Sequence, residues 1–505
     1  MKAKKVTALI LAAVMVLMVA ACGNGEPDET APVETPPATE TQTPTDPDDV
    51  DEPDDTPAHD PDDVRFKWDP IDMGITIVRG ANFEQGSDFS DMEPPDPAED
   101  TAIAFARYEN FRRLEAKYNV RVETVTLNFG DILPQLALAK MAGDDFCDLI
   151  WFNTQFITQS VANDLVYDIP SIAPPDASYV TDEIFLFSPG PVLGKDVFLA
   201  ENRPFFNADY LIINQDIINQ VGAPNPVDLY NEGRWTWEAF REVALMATRD
   251  TNNSGEINQW GISGWFPWFA GAIVASNGAT LSDMNTLTVN FNSAPVLEAF
   301  QFIQDIAVED RTFFMPESDG MFEIWDWGAT MDAFKGGNIA MAATRFWNDQ
   351  GQDYAWTTSV VPMPTGPSNR IDGPTYFIEM AEWVLSATSR HPTWVYMIIE
   401  ETQYWHMGDL EFAHSSDEDM ITECVQTMDD VNRVFAASKR YTLDIMPWIQ
   451  GGGLDGSVLW GLLNERETPA QIVTANEQVF QDTLNNSLGA INVQDYLDSL
   501  EEEDE

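Results

Sequence analysis

Basic residues are scarce in this chain. Its 505 residues include 26 Lys and Arg against 84 Asp and Glu, a formal net charge of −58. That balance excludes the basic footprint that nucleic-acid binding requires, and a polybasic hold on anionic lipid. An acidic surface by itself speaks for solubility and little more. Histidine is rarer still: His59, His391, His406 and His414 are all there are, and none stands in an HExxH helix. Gly261-Ile262-Ser263-Gly264 is one residue short of a nucleophile elbow. Gly190-Pro191-Val192-Leu193-Gly194-Lys195 is one short of a P-loop, with Asp196 where Ser or Thr is required. Cysteine occurs three times, at Cys22, Cys147 and Cys424, with no zinc-ligand spacing. If Cys22 is modified, the other two are either a disulfide or a pair of buried free thiols.

One long hydrophobic run is present, from Val6 to Ala21, directly behind Lys2, Lys4 and Lys5. Its length and position read as the core of an export signal rather than a spanning helix. The run ends in Val19-Ala20-Ala21-Cys22-Gly23, which resembles the lipobox of bacterial lipoproteins. Residues 1–22 are therefore expected to be a lipoprotein signal peptide, with Cys22 the lipidated N-terminus on the extracellular face of a bacterial cell membrane. Diacylglycerol plus a further acyl chain such as palmitate would hold it durably. Residues 23–64 carry nine prolines, fifteen Asp or Glu and no Lys or Arg. Such a segment repels itself and buries nothing, so 23–66 reads as an extended acidic stalk. The stretch 496–505, ending Glu501-Glu502-Glu503-Asp504-Glu505, reads as a solvated tail.

Apolar residues make up 44% of the chain, enough for a large core. Ile75–Val78 reads as a strand, Ala102–Tyr118 as a helix with apolar spacing of three and four, and Val120–Val125 as an alternating strand. Asp131–Ala142 reads as a helix stopped by Gly143, and Asp148–Phe152 as a buried parallel strand. Strands alternating with helices predict an α/β architecture.

Several segments, in order, resemble the extracellular solute-binding proteins of ABC importers, in the sugar-binding group that includes maltose-binding protein. Leu136 to Asp145 followed by Cys147-Asp148-Leu149-Ile150-Trp151 resembles its helix, "AGD" turn and "PD" strand, with Cys147 in place of proline. Phe206 to Asp216 resembles its first crossover between lobes. Trp235-Thr236-Trp237-Glu238-Ala239-Phe240 resembles a "TWDEF" helix start with Thr236 as N-cap. Phe334 to Met341 resembles "FxxGKAAM", Pro362 to Pro367 a "PxPxGP" return crossing, Trp383 to Trp394 the following strand and helix start, and Thr468-Pro469-Ala470-Gln471 the start of the last helix. The resemblance implies a two-lobed binding-protein fold of the type II kind. Each lobe would be a mixed, mostly parallel sheet with flanking helices, and a hinge would lie between them. It places lobe one at 70–209 and 361–425, and lobe two at 210–360 and 426–495.

A sugar offers apolar C–H faces and a rim of hydroxyls, so its site wants aromatic platforms beside polar groups. The resemblance singles out Trp347, although Arg345-Phe346 precede it where the family has small residues. It also points to Trp265, Phe266 and Trp268 in a lobe-two loop. Phe152, Asn153 and Gln155 lie just past the Asp148 strand, where ligands of open α/β sheets bind. Glu379, Trp383 and Trp448 complete the expected set. Asp250, Asn252, Ser254 and Glu256, with Gly255 sixth, match the first half of an EF-hand calcium loop, but Gly261 stands where the bidentate Glu belongs. A metal-free Asx turn is the alternative.

The resemblance, with the lipobox, implies a non-enzymatic, lipid-anchored protein, monomeric by default, with no cofactor, calcium in that loop aside. It would capture a carbohydrate and pass it to a membrane permease served by a separate ATPase. A surface glycoside hydrolase with paired carboxylates and a ligand-sensing lipoprotein are the alternatives.

Overall fold

The computed structural model describes residues 68–498 apart from 82–93, 96–101, 178–185, 188, 202–206, 284–285, 319–320, 346–353, 380, 407, 423–424, 448–453, 455, 464–466 and 495. Cys22, the stalk, Trp347, Cys424, Trp448 and the end of the acidic tail lie outside the described residues.

The first sheet is built as its periodicity predicts. Strand β1 (Ile75–Ala81) lies parallel to β2 (Val120–Thr126), with helix α1 (Ala102–Tyr118) between them in sequence. Asn110, Phe111, Leu114 and Tyr118 form the buried stripe of α1. Helix α2 (Ile132–Ala142) stops at Gly143, whose φ of 72° lets its N–H reach the carbonyls of Ala139 and Lys140. Strand β3 (Leu149–Asn153) runs parallel to β1 and leads into α3 (Thr154–Ala162). Its alternation divides the core: Ile150 and Phe152 face one cluster and Leu149 the other. Cys147, just before it, is a buried free thiol.

After β4 (Leu186–Phe187) and β5 (Phe198–Glu201) the chain crosses to a second sheet. This sheet contains β6 (Asp209–Asn214), β7 (Trp260–Gly264), β8 (Ile339–Arg345) and β9 (Thr358–Pro362), in the order β9-β6-β8-β7. Every residue of β6 and β8 is buried, as expected of central strands covered on both faces. Along β6, Leu211 and Ile213 join one core cluster while Tyr210 and Ile212 join another. From β9 the chain returns to the first sheet as β10 (Ala381–Leu385), giving the order β2-β1-β3-β10-β5-β4.

Both sheets are mixed, but they are not mostly parallel. Only β1–β2, β1–β3 and β7–β8 are parallel; β3–β10, β10–β5, β5–β4, β6–β8 and β6–β9 are antiparallel. The strands that carry the chain between the sheets enter each one against its local βαβ direction. No local signal in their sequence announces this.

Threonine side chains cap some of the later helices. Thr236 accepts from Ala239 N at the head of α4 (Trp237–Ala247). Helix α5 (Phe266–Ser276) follows β7, α6 (Pro392–Thr402) follows β10, and α7 (Met428–Ser438) packs against the second sheet. The last helix, α8 (Pro469–Asn486), opens on a reciprocal capping box of Thr468 and Gln471. Beyond α8 the chain touches the first lobe again, where Gly489 O accepts from Gln159 and Asn163.

Helix α4 lies close on β7. A Cβ on Gly261 would sit 2.6 Å from Ala244 Cα and 2.8 Å from its carbonyl carbon. These are backbone atoms and cannot turn aside. Gly261→Ala is therefore expected to cost about 2–3 kcal/mol of stability, read as a lower urea midpoint with unchanged m-value.

On the first lobe, Glu401 of α6 is fully buried. Its Oε1 accepts from Tyr118 Oη at 2.7 Å and from the Trp68 amide at 3.1 Å, with Lys117 Nζ at 3.9 Å. Lys117 donates to Trp68 O at 2.6 Å, and Trp68 Nε1 to Asp176 at 2.9 Å. Burial outweighs the donors and pushes the Glu401 pKa up to about 7.

Candidate functional site

A cavity of about 200 Å³ opens where the two lobes meet. Its walls come from the same end of both sheets. Asn153 is the last residue of β3, Arg345 the last of β8, and Trp265 follows the last of β7. Asp209 opens antiparallel β6, and Glu379 lies just ahead of antiparallel β10. Gln155, Trp268, Trp325 and Phe377 also line it. The cavity thus lies off the carboxyl ends of the parallel strands, the position that open α/β sheets use for ligands.

Charge in the cavity is organised by Arg345. It is the register partner of Asp209 in the β6–β8 ladder. Its Nε reaches Asp209 Oδ1 at 2.5 Å and its Nη1 reaches Glu379 Oε2 at 2.5 Å. Burial alone would lower the Arg345 pKa, but the two carboxylates outweigh it and the pKa is raised. Burial raises the Asp209 pKa to about 6 against the pull of Arg345. The guanidinium also stacks over Trp268, 4.2 Å from the ring centroid.

The aromatic wall is layered. Trp265 meets Trp268 edge-on at 4.6 Å and Trp325 at 5.8 Å, and Trp327 lies 5.7 Å from Trp268. With Arg345 over one face and two indoles against it, Trp268 supports the wall. Trp325, 44% exposed, is the broad surface turned outward. Trp265 Nε1 is buried and has no hydrogen-bond partner among the described residues, so a donor stands ready beside the cavity.

A model of the bacterial extracellular solute-binding proteins matches residues 109–396, more than half of the chain. The chain belongs to that family. Solved structures similar to this solute-binding protein share its fold at low identity. The cyclic alpha-maltosyl-1,6-maltose binding protein of Arthrobacter globiformis is 13% identical, with 81% of this chain and 99% of that one covered, at a TM-score of 0.54. UspC of M. tuberculosis is 15% identical over 82% and 100%, also at 0.54. An ABC substrate-binding protein of Listeria monocytogenes, in complex with cycloalternan, is 16% identical over 83% and 100%, at 0.50. No curated protein sequence matches this chain. The fold is the two-lobed binding-protein fold.

Of the residues singled out in this solute-binding protein's sequence, Asn153, Gln155, Trp265, Trp268 and Glu379 come together around the cavity. Phe152 and Phe266 do not line it. Phe152 is the core-facing neighbour of Asn153, and Phe266 packs on Phe313 at 5.3 Å one helical step from Trp265. Trp383 does not line the cavity either; it sits mid-strand in β10 opposite Trp151 and Leu199, its ring 4.5 Å from the Arg79 guanidinium. Nothing local in the sequence marks Asp209 or Trp325 as cavity residues. Arg345 stood out in the sequence only as a departure from the family's small residues.

The 250–256 turn is exposed. Asp250 Oδ1 accepts from the amides of Asn252 and Ser254 at 3.1 Å, and its Oδ2 from Gly255 at 2.7 Å. These backbone donors are satisfied by the Asp250 side chain, which is the Asx-turn arrangement. Among the described residues, no group of three or more His, Cys, Asp or Glu is arranged to hold a metal ion. Among the same residues, no helix is long and apolar enough to cross a membrane.

Proposed function

We propose that this protein is the substrate-binding component of an ABC import system, and that it captures an extracellular carbohydrate in the cavity between its lobes. It then delivers the sugar to a membrane permease driven by a separate ATPase. The observation that carries this reading is the pairing of a tryptophan wall with carboxylates at one end of both sheets. Such a site stacks on a sugar's C–H faces and accepts hydrogen bonds from its hydroxyls. The Trp265 indole N–H would donate to a ligand oxygen. Ligands named in the similar structures, cycloalternan and cyclic alpha-maltosyl-1,6-maltose, are oligosaccharides. At about 200 Å³ the cavity is smaller than the roughly 300–1,000 Å³ of pockets that enclose a drug-sized ligand. An oligosaccharide would therefore be gripped by one ring. The reading calls for no covalent step, no cofactor and no cation in the 250–256 turn.

A thermal-shift panel of mono- and oligosaccharides, polyols and short peptides tests it. A sugar at a hundred times its Kd stabilises the fold by about 2.7 kcal/mol, and it should be recovered unchanged. Trp325→Ala is expected to weaken binding by tenfold or more, about 1.4 kcal/mol. Consumption of the sugar would favour the hydrolase instead, and a response to peptides alone would remove the carbohydrate reading.

The proposal extends to a lipid anchor on Cys22, supported by the apolar run and the small residues before it. Cys22→Ser is expected to abolish labelling by radioactive palmitate in cells and move the protein from membrane to medium. Unchanged labelling would exclude that anchor.

A further inference from the structure

Among the described residues, the charged side chains lining the cavity are Asp209, Glu379 and Arg345. Two carboxylates share one guanidinium, so the group carries a formal excess of one negative charge. The three are unequally placed. Arg345 is 1% exposed, lies under Trp268 and is bound to both carboxylates. The Asp209 side chain is 8% exposed, held as the ladder partner of Arg345. The Glu379 side chain is 29% exposed and uses Oε2 for Arg345, leaving Oε1 outside that ion pair. The positive charge is therefore sunk in the floor, and the negative charge is presented to the ligand.

We infer that Glu379 sets the charge class of the solute: the site accepts uncharged and basic amino sugars and rejects acidic ones such as uronates. This rests on the carbohydrate reading above. When the lobes close on a ligand, water leaves and the excess negative charge loses solvation. Hydroxyl donors to Glu379 restore part of it, and an ammonium group restores more, as a charge-assisted bond. A carboxylate at the same place would face Glu379 with Arg345 already engaged. The walls act in the same sense, because the faces of Trp265, Trp325 and Phe377 are negative and favour cations over anions. Arg345 acts as a positioning residue, fixing the Glu379 carboxylate at the rim and Asp209 beneath it.

The test uses the whole folded protein and three sets of near-isosteric monosaccharides at pH 6.5. These are hexoses (glucose, galactose, mannose), the corresponding 2-amino-2-deoxyhexoses, and the corresponding hexuronates. Affinities are read by calorimetry and thermal shift. For a stereochemistry that binds, the amino sugar is expected to match or exceed the hexose, and the uronate to bind about tenfold or more weaker, as like charges a few ångströms apart require. Glu379→Gln keeps the side chain's shape and an acceptor for Arg345. It should bring the three affinities together in a protein that still unfolds in one cooperative sugar-free transition, whatever the loss of the Arg345 ion pair does to its midpoint. Uronates binding as tightly as hexoses would overturn the inference and leave the carbohydrate reading standing. Silence from all three sets, in a protein that also ignores neutral oligosaccharides, would overturn both.

Discussion

Replacing Arg345 with methionine is expected to lower the unfolding free energy by about 3–5 kcal/mol, the cost of removing one partner from a buried ion pair. Methionine roughly fills the volume but leaves Asp209 buried without its guanidinium and Glu379 without its anchor. The loss should appear as a lower urea midpoint at pH 7. It should shrink at pH 5, because Asp209, whose pKa already stands at about 6, would take up a proton. The double variant Arg345→Met, Asp209→Asn separates lost charge compensation from lost packing. If it recovers most of the stability, the uncompensated carboxylate was the cause. If it is no better than the single variant, the stack of Arg345 on Trp268 carries the energy and the electrostatic account fails.

The second large effect is a pH dependence at Glu401. The folded protein holds this proton more tightly than the unfolded chain, because burial lifts the pKa from its ordinary 4.5 to about 7. Stability from this group is therefore fully present below about pH 4.5 and is lost as the pH rises through about 7. The difference between the two values corresponds to about 3 kcal/mol. The groups facing Glu401 are the Tyr118 hydroxyl, the Trp68 amide and the Lys117 ammonium, which oppose the rise, and the Glu400 carboxylate, which adds to it. Many other acids titrate over this range, so the quantity to measure is the difference between wild type and Glu401→Gln. That variant should gain about 3 kcal/mol relative to wild type between pH 4.5 and pH 8, read by urea unfolding at each pH. A flat difference would mean that the carboxylate is solvated in the native state.

What was legible in the sequence is what depends on neighbouring residues. The stripe of α1, the stop at Gly143 and the Thr236 cap follow from spacings of three or four residues and from one left-handed glycine. The resemblance went further, because the order of segments fixes the course of the chain. What it did not reach depends on register between distant strands. That Arg345 meets Asp209 is decided by the β6–β8 ladder, across 136 positions of sequence. That Trp383 sits mid-strand opposite Trp151 and Leu199, while Glu379 ahead of β10 reaches the cavity, is decided by where β10 lies between β3 and β5. Likewise, nothing local distinguishes exposed Trp325 from Trp327 two residues later, which lies against Trp268.

The node around Trp68 bears on how the protein would carry load. Any pull arriving along the chain from its N-terminal side enters the described body at residue 68. There the backbone is gripped by Glu401 and Lys117 and the indole by Asp176, all on the first lobe. Tension would thus be shared between α1 and α6 and would not run through the crossing strands that join the lobes. The hinge would be mechanically insulated from such a pull, free to open and shut while it lasts.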